Sequence, residues 1–286
     1  MNTNYLSLIS AILVFSSMGL FVKFISVNGL IIYFCAALIA TIIFGISLLK
    51  DKKLKDFFTK RNLLIPILIG LFGAVNNSAY FYAYQLTTIA NATFSHYLFP
   101  ILVILLAPLI INEKSKRKSW FLLILSLAGL LILLNPTNLD LSSKNTFGIF
   151  LGIVSAFGSA LTILLFKKAS THYNDKEILF SQMFFSVIIL LPFILYQKPT
   201  ILLADILPLL LLGIVHQGFN VLLFIKAVTK LPAQNVSLIT YLEPVGAVIL
   251  SLIFLKEIPH LYTLIGGLLI LTSCYFTIKD KFLLLN

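Results

Sequence analysis

Charge is scarce in this 286-residue sequence: only 11% of its residues are Asp, Glu, Lys or Arg, against about 25% in ordinary soluble domains. Hydrophobic residues make up 59%, and the mean hydropathy is +1.04. This composition excludes a water-soluble globule. A membrane-spanning helix takes about 20 apolar residues, so ten would use about 200 of the chain. Too few residues would remain for a soluble catalytic domain.

Residues that signal enzymes or metal sites are also scarce. The only cysteines, Cys35 and Cys274, lie in apolar segments, which argues against a disulfide framework and a thiolate metal site. The sequence has neither a GxxxxGK[ST] phosphate loop nor an HExxH motif, so neither ATP hydrolysis nor zinc proteolysis is indicated. Every carboxylate except Glu243 falls in a loop or at a segment end. We therefore predict a non-enzyme with no cofactor and no metal.

Charged residues divide the chain into ten apolar windows of membrane-spanning length. These windows centre near 5–25, 29–49, 63–84, 88–111, 119–135, 147–166, 178–196, 207–228, 233–255 and 261–278. No formally charged residue occurs from Asn62 to Asn112, a stretch about twice one span, which favours a tight helical hairpin. The sequence thus predicts an all-α integral membrane protein with ten transmembrane helices.

Basic residues set the predicted orientation. The formal net charge is +11, from 21 Lys plus Arg and 10 Asp plus Glu. All basic residues fall in the connectors after even-numbered spans or in the C-terminal tail, except Lys23, Lys144, Lys198 and Lys256. By the positive-inside rule, both termini are predicted to be cytoplasmic, in the inner membrane. The excess of basic residues is assigned to topology and lipid headgroups, and no nucleic acid partner is predicted.

An internal repeat relates the two halves. The segment 97–100, Tyr-Leu-Phe-Pro, recurs at 241–244 as Tyr-Leu-Glu-Pro, a displacement of 144 residues (244 minus 100). The same displacement takes Glu113 to Glu257 and Lys23 to Lys167. We predict two five-helix halves, 1–140 and 145–286. Because five is odd, the second half enters the membrane inverted, and inverted repeats are typical of alternating-access transporters.

These landmarks carry a resemblance to a known family. Each half has a Leu-x-Pro within a span, a Glu about thirteen residues later and then a final span; the second copy is YLEPVGAVILSLIFLKE, followed by Gly266 and Gly267. The pattern resembles the EamA family of the drug/metabolite transporter superfamily. In the first copy, Phe99 replaces the Glu of Leu-Glu-Pro and Asn112 replaces the usual Gly. The resemblance implies a ten-helix transporter of small metabolites such as amino acids, nucleosides or quaternary amines.

Glu243 is the only carboxylate near the middle of a predicted span. A charge at that depth costs about 2.5–3.5 kcal/mol on insertion scales, so its position marks a candidate pathway. One hypothesis makes Glu243 a cation site or the carrier of a coupling proton or ion. The other makes it a structural group that bonds backbone atoms freed by Pro244.

Two polar helix faces predict a central cavity. At 100° per residue, one face of the third span and one face of the eighth each fall within an arc of about 100°. These faces are Gly73, Asn76, Asn77, Tyr80 and Tyr84, and Gly213, His216, Gln217, Asn220 and Phe224. Their amides and imidazole offer donors and acceptors to a polar substrate. The alternative is hydrogen bonding between helices, worth about 0.6 kcal/mol on average.

The fourth and ninth spans complete the predicted site. Thr93, His96, Tyr97 and Pro100 share one arc, as do Ser237, Thr240, Tyr241 and Pro244. A lone membrane histidine is as often a structural donor as a functional group. The predicted substrate-binding residues are Asn76, Asn77, Tyr80, Tyr84, His96, Tyr97, His216, Gln217, Asn220, Tyr241 and Glu243.

Three further patterns lie on a helix face and at span ends. Small residues line one face of the sixth span at Gly148, Gly152, Ser155, Ser159 and Thr162, which predicts close helix packing, with cavity lining as the alternative. Glu113 and Glu257 end their spans beside Lys114 and Lys256, which predicts interfacial capping or pairing. Lys23 and Lys167 end spans on opposite sides and are expected to snorkel to the interface, with gating as the alternative.

Together these features predict a secondary transporter or facilitator that moves small polar metabolites, amino acids or related compounds first, by alternating access. The alternative substrate is a quaternary or primary amine such as choline, because Glu243 together with Tyr80, Tyr84, Tyr97 and Tyr241 suits a cation. The rival classes are a membrane enzyme, a lipid-handling protein and a small-molecule sensor. The predicted partners are a small-molecule substrate and the lipid bilayer.

Overall fold

The computed structural model describes residues 3–59, 63–134, 143–256 and 259–279, and this part of the chain folds into helices and connectors without a strand. In chain order the helices are α1 (Thr3–Phe15), α2 (Met18–Lys23), α3 (Gly29–Lys50), α4 (Leu54–Thr59), α5 (Leu64–Leu86), α6 (Ile89–His96), α7 (Phe99–Ile110), α8 (Arg117–Leu134), α9 (Ser143–Ala169), α10 (Asp175–Gln197), α11 (Leu203–Leu211), α12 (Val221–Val228), α13 (Ala233–Ile239), α14 (Leu242–Leu250) and α15 (Leu261–Lys279). Two π-helical stretches, Leu212–Asn220 and Ser251–Leu255, continue α11 and α14.

Within the described residues, nine helical segments are long and apolar enough to cross a membrane. They are Gly29–Lys50, Leu64–Leu86, Ile89–Ile110, Arg117–Leu134, Ser143–Ala169, Asp175–Gln197, Leu203–Val228, Ala233–Phe254 and Leu261–Lys279. Their outward faces carry large apolar side chains, such as Leu109 at 79% exposed and Leu203 at 86%. Such surfaces suit lipid and not water. The protein is therefore a multi-pass membrane protein.

The first predicted span is interrupted. It forms α1 and α2, separated at Ser16 and Ser17, and the 13-residue α1 is shorter than a spanning helix. The Ser16 hydroxyl lies 3.0 Å from the Ile12 carbonyl oxygen, and the Ser17 hydroxyl lies 2.9 Å from that of Val14. Serine hydroxyls that bond carbonyls of the preceding turn bend helices. The count of ten therefore stays a prediction, in which α1 and α2 together make the first span.

The fourth and ninth predicted spans break at equivalent places. In the fourth, α6 ends at His96 and α7 starts at Phe99; in the ninth, α13 ends at Ile239 and α14 starts at Leu242. Each break lies just ahead of a proline, Pro100 or Pro244. A proline has no N–H for the carbonyl four residues earlier, and its ring clashes with that carbonyl, so the helix breaks ahead of it.

Other boundaries repeat with the displacement that the sequence predicts. Ile89 and Ala233 start equivalent helices 144 residues apart (233 minus 89), as do Arg117 and Leu261 (261 minus 117). Asn112 and Lys256 are also 144 apart and both have a positive φ, 55° and 57°. A left-handed residue at the same point of each half marks the same helix ending twice. Glu257, the repeat partner of Glu113, lies outside the described residues.

A salt bridge joins α10 to the connector that follows α3. Lys176 Nζ lies 2.9 Å from Asp51 Oδ2 and 3.1 Å from the Ser47 hydroxyl. Hydrogen bonding and charge attraction from Lys176 hold the pKa of the Asp51 carboxyl below its ordinary value. Both residues of the bridge are exposed, so its contribution to stability is small.

Helices α8 and α15 pack closely at glycines. A Cβ added to Gly266 would clash with the Leu133 backbone nitrogen and would lie 2.5 Å from the Gly129 carbonyl oxygen. A Cβ added to the neighbouring Gly267 would have no atom of the described residues within 4 Å. Gly266 therefore faces the tight contact with α8, and Gly267 faces away from it. Small residues at such an interface let two membrane helices approach closely.

We expect Gly266→Ala to destabilise the protein by about 1–3 kcal/mol, because the new methyl group meets backbone atoms that cannot turn aside. Gly267→Ala is the matched control. It should be neutral or stabilising by up to about 1 kcal/mol, since alanine is the better helix former. Melting of the two detergent-purified variants measures the difference. Equal melting temperatures would mean that α8 and α15 do not pack as described.

Candidate functional site

A cavity of about 100 Å³ lies between the two repeats and is bordered by residues of α1, α2, α5, α6, α7, α9, α10, the Leu212–Asn220 π-helix, α12, α14 and the break before α14. Its lining residues are Phe15, Met18, Asn76, Asn77, Tyr80, His96, Phe99, Ser159, Thr162, Ile163, Phe166, Gln182, Gln217, Val221, Phe224, Thr240 and Glu243. Polar and aromatic side chains from both halves meet here. This is the composition of a small-molecule site.

The structure brings six of the eleven predicted binding residues onto the cavity wall: Asn76, Asn77, Tyr80, His96, Gln217 and Glu243. The remaining five lie outside the set that lines it: Tyr84, Tyr97, His216, Asn220 and Tyr241. The sequence analysis missed Gln182 of α10, which also lines the cavity. Ser186 lies four residues after Gln182, so a short polar face at helical spacing is the signal that could have marked it.

The central amides of α5 and of the π-helix are hydrogen-bonded to each other. Asn77 Nδ2 donates to the Gly73 carbonyl at 2.9 Å, and Gln217 Nε2 donates to Asn77 Oδ1 at 3.3 Å. Gln217 Oε1 has no hydrogen-bond partner among the described residues. π-Helical turns are rare and often occur at functional sites. Here the turn carries His216 and Gln217 inward, and both are buried.

His96 is held by α9 and by an aromatic neighbour. Its Nδ1 lies 2.8 Å from the Ser155 hydroxyl, and its ring stacks on Tyr80 with centroids 3.9 Å apart. The Tyr84 hydroxyl donates to that of Tyr80 at 2.6 Å. Tyr84 does not line the cavity, but its hydrogen bond fixes the hydroxyl of Tyr80, which does.

His216 and Asn220 connect the eighth predicted span to the first. His216 Nε2 lies 3.4 Å from the Ser17 hydroxyl, and Asn220 Nδ2 donates to the Ala11 carbonyl at 3.0 Å. For these two residues the contacts are those of the helix-packing hypothesis. The predicted polar arc of the eighth span therefore divides between the cavity and α1.

Tyr97 and Tyr241 join the two helix breaks. The Tyr97 hydroxyl donates to the Thr240 carbonyl at 3.0 Å, and the Tyr241 hydroxyl donates to the Tyr97 carbonyl at 2.9 Å. The Thr240 carbonyl is the one for which Pro244, four residues later, has no N–H. Backbone groups freed by proline in a membrane need such replacement partners. Both tyrosines are fully buried and link the two breaks, and the Tyr97 side chain also contacts that of Glu243 on the cavity wall.

The small-residue face of α9 packs against other helices at one end and lines the cavity further along. A Cβ added to Gly148 would lie 2.8 Å from Thr87, and one added to Gly152 would clash with the Ser95 hydroxyl, so this end packs tightly. Ser159 and Thr162, further along, line the cavity. The packing hypothesis and the cavity hypothesis therefore each hold for one part of the same face.

An ion pair lies at the C-terminal end of α9, next to the cavity residue Phe166. Lys167 Nζ is 3.3 Å from Glu113 Oε2 and also donates to the Leu231 carbonyl. The Glu113 carboxylate accepts the backbone N–H groups of Ala233 at 3.1 Å and Gln234 at 3.4 Å, at the start of α13. Glu113 thus both caps and pairs, and Lys167 is paired instead of snorkelling freely. We call these two residues the Lys167–Glu113 pair.

The connector between α2 and α3 is tied down by a second set of contacts. The Asp205 carboxylate accepts the Ser26 backbone N–H at 2.9 Å and the Ser26 hydroxyl at 2.5 Å. Gln85 Nε2 donates to the Val27 carbonyl at 2.8 Å. The sequence analysis gave Asp205 no role, because a carboxylate near a segment end resembles an ordinary capping residue.

Comparison with known proteins agrees with this architecture. The model of the EamA-like transporter family matches residues 2–135 and again 146–279. The chain is 26% identical to the uncharacterized transporter YxxF of Bacillus subtilis, with 98% of this chain and 91% of that protein covered. It is also 26% identical to the pseudopaline exporter CntI of Pseudomonas aeruginosa, covering 76% of each chain.

Two further similarities extend the comparison. The chain is 25% identical to an S-adenosylmethionine uptake transporter of Rickettsia prowazekii, over 76% of this chain and 72% of that one. A solved crystal structure superposes with a TM-score of 0.79 at 17% identity, covering 95% of both chains. At that identity, the structural likeness establishes the fold alone.

Proposed function

Because the chain belongs to the EamA-like transporter family, we propose that it moves a small polar metabolite across the cytoplasmic membrane by alternating access, with the central cavity as its substrate site. The observation that carries this proposal is the cavity itself, which residues from both repeats line beside the two helix breaks. Transporters with internal repeats place their substrate sites at the repeat interface and at interrupted helices.

The proposed halves are 1–140 and 145–286, each with five spans. With α1 and α2 counted as the first span, the second half enters the membrane from the opposite side, and both termini are cytoplasmic by the distribution of basic residues. Two inverted halves can exchange which side of the membrane they open to. Because transport leaves the substrate chemically unchanged, we propose that the protein is not an enzyme.

The cavity's size supports an alternating mechanism. At about 100 Å³ it is smaller than typical small-molecule sites of about 300–1,000 Å³. Contacts tie helices together on the side of the Lys167–Glu113 pair and, on the other side, through Ser26 and Asp205. In the proposed cycle, a metabolite enters when one of these sets of contacts opens and the lining helices separate.

The substrate class has to be inferred from the residues that line the cavity. The relatives named by their substrates handle different compounds, pseudopaline and S-adenosylmethionine, one by export and the other by uptake. Amino acids and related polar metabolites are the first class proposed from the sequence, and amines are the second. These classes differ in charge and in hydrogen-bond donors, so the polar atoms on the cavity wall distinguish between them.

Counterflow into proteoliposomes tests the transport proposal. Vesicles loaded with an unlabelled solute are diluted into the same solute carrying a label, in parallel for alanine, butylamine, choline and a nucleoside, with protein-free vesicles as the control. We expect saturable uptake of one class and recovery of that solute unchanged by mass spectrometry. A chemically altered solute would support the membrane enzyme instead, and binding without uptake would support a sensor.

A further inference from the structure

We propose that the cavity binds the protonated primary amine of its substrate, with the N–H groups donated to acceptor atoms on the wall. This inference rests on the proposed function and narrows its substrate class. It depends on where the protons of the wall residues go. Hydrogen bonds within the protein engage the donors of several lining residues and leave acceptors of the same wall without a partner among the described residues.

The orientation of Gln217 is determined by a chain of partners. The Gly73 carbonyl can only accept, so the Asn77 atom 2.9 Å from it must be the amide nitrogen. Asn77 Oδ1 can then only accept, so the Gln217 atom 3.3 Å from it is also a nitrogen. Gln217 Oε1 therefore remains as a buried acceptor, without a partner in the part of the chain that the structure describes.

The same reasoning determines the His96 tautomer. Ser155 has one hydroxyl proton, which it donates to the Gly152 carbonyl at 2.7 Å. The Ser155 oxygen can therefore only accept from His96 Nδ1, 2.8 Å away, which places the imidazole proton on Nδ1. His96 Nε2 is left as an acceptor on a ring that lines the cavity.

Two threonines on the wall have also used their protons. Thr162 Oγ1 donates to the Gly158 carbonyl at 2.8 Å, and Thr240 Oγ1 donates to the Ser237 carbonyl at 2.6 Å. Each keeps only lone pairs for a further partner. Asn76 Oδ1 and Gln182 Oε1 add two more acceptors that no described residue bonds. The wall also carries donors: the hydroxyl of Tyr80, whose oxygen accepts from Tyr84, and the amide nitrogens of Asn76 and Gln182.

The ionisable residues of the cavity wall also favour a cationic ligand. Among the residues that line the cavity, Glu243 is the one carboxylate, and none is Lys or Arg. Buried acceptors without donors are costly, and a ligand that supplies N–H groups removes that cost. A primary ammonium group supplies three donors, a quaternary ammonium supplies none, and a carboxylate would lie in the same small cavity as the Glu243 carboxyl group. Primary amines therefore move ahead of both quaternary amines and simple carboxylates.

The remaining wall fits an apolar substituent on the amine. Phe15 and Phe224 pack edge to face with centroids 5.8 Å apart, and Phe99 and Phe166 also line the cavity. Aromatic faces attract organic cations and bury their carbon chains. The substrate class is therefore a primary amine with a short apolar chain or ring.

Binding of four probes to the purified full-length protein tests this inference. The probes are butylamine, tetramethylammonium, 1-butanol and propionate, which have equal numbers of non-hydrogen atoms and differ in charge and N–H donors. Ligand stabilisation on heating reports binding by mass action. We expect butylamine to bind at least about tenfold more tightly than each of the other three.

Gln217→Met removes the acceptor and keeps the side-chain length, so it should weaken butylamine binding about tenfold and leave 1-butanol binding unchanged. Gln197→Met, at the exposed end of α10, is the control and should change neither. Equal binding of butylamine and tetramethylammonium, tighter binding of propionate, or no binding of butylamine would overturn the inference. Amine binding without counterflow would refute transport alone, and counterflow of another class without amine binding would refute the amine site alone.

Discussion

Glu243→Gln should reduce binding and counterflow of the amine substrate by about 10-fold to 150-fold. Replacing the carboxyl group by an amide removes the one acidic group on the cavity wall and leaves the shape of the side chain almost unchanged. Hydrogen bonds to charged groups contribute about 1.5–3 kcal/mol, and each 1.4 kcal/mol is a factor of ten in affinity. Titration with butylamine and counterflow in proteoliposomes measure the two quantities on the same preparation.

Asp56→Asn is the matched control, since it removes the same charge from an exposed side chain in α4. It should leave affinity and flux unchanged. The competing hypothesis makes Glu243 a brace for the helix that begins at Leu242. Under that hypothesis, Glu243→Gln lowers the melting temperature and leaves butylamine affinity intact, a pattern that would contradict a substrate site.

The same variant separates substrate binding from proton coupling. If the carboxylate binds the amine, Glu243→Gln loses counterflow and gradient-driven uptake together, because both need an occupied site. If it carries only a coupling proton, counterflow persists and uptake driven by a pH gradient is lost. We expect the first pattern, since Glu243 shares the cavity wall with the acceptors Gln217 and His96.

The repeat and most span boundaries could be predicted because they depend on local pattern. The windows at 29–49 and 261–278 became Gly29–Lys50 and Leu261–Lys279, since apolar length and flanking charge are properties of the sequence itself. The helix breaks lie just ahead of Pro100 and Pro244, whose effect on a helix is also local. The displacement of 144 residues then reappears in helix starts such as Ile89 and Ala233.

What the sequence could not predict depends on partners far along the chain. Ser16 and Ser17 interrupt the first span, and the Ser16 hydroxyl also reaches the Glu243 carbonyl, 227 residues away. The π-helix at Leu212–Asn220 changes the angle per residue from the 100° assumed for an α-helix. For this reason Gln217 faces the cavity while His216 and Asn220 contact α1 and the serines that follow it. Gln182 was marked only by Ser186, four residues later.

Opening of the predicted cytoplasmic side should respond to Lys167→Gln. The Lys167–Glu113 pair is partly buried, with side chains 24% and 21% exposed, and Glu113 also holds the start of α13. Breaking this contact should favour the conformation open to that side by about 1–2 kcal/mol, a factor of about 5–30 in its population. The variant Phe166→Cys reports the change, in a background in which Cys35→Ala and Cys274→Ala remove the native thiols. The measured quantity is the rate at which an impermeant maleimide labels the new thiol.

Lys168→Gln provides the control, because Lys168 is the next residue and its side chain is exposed. Equal labelling rates in the two variants would mean that the pair does not close this side. A double-mutant cycle sharpens the test: Lys167→Gln and Glu113→Gln remove one shared contact, so together they should open the cavity less than the sum of their separate effects. Labelling should rise only in vesicles that expose the cytoplasmic face.

Since the repeat takes Glu113 and Lys167 to Glu257 and Lys23, Lys23→Gln should raise labelling from the opposite face. Two inverted halves with equivalent closures require this result.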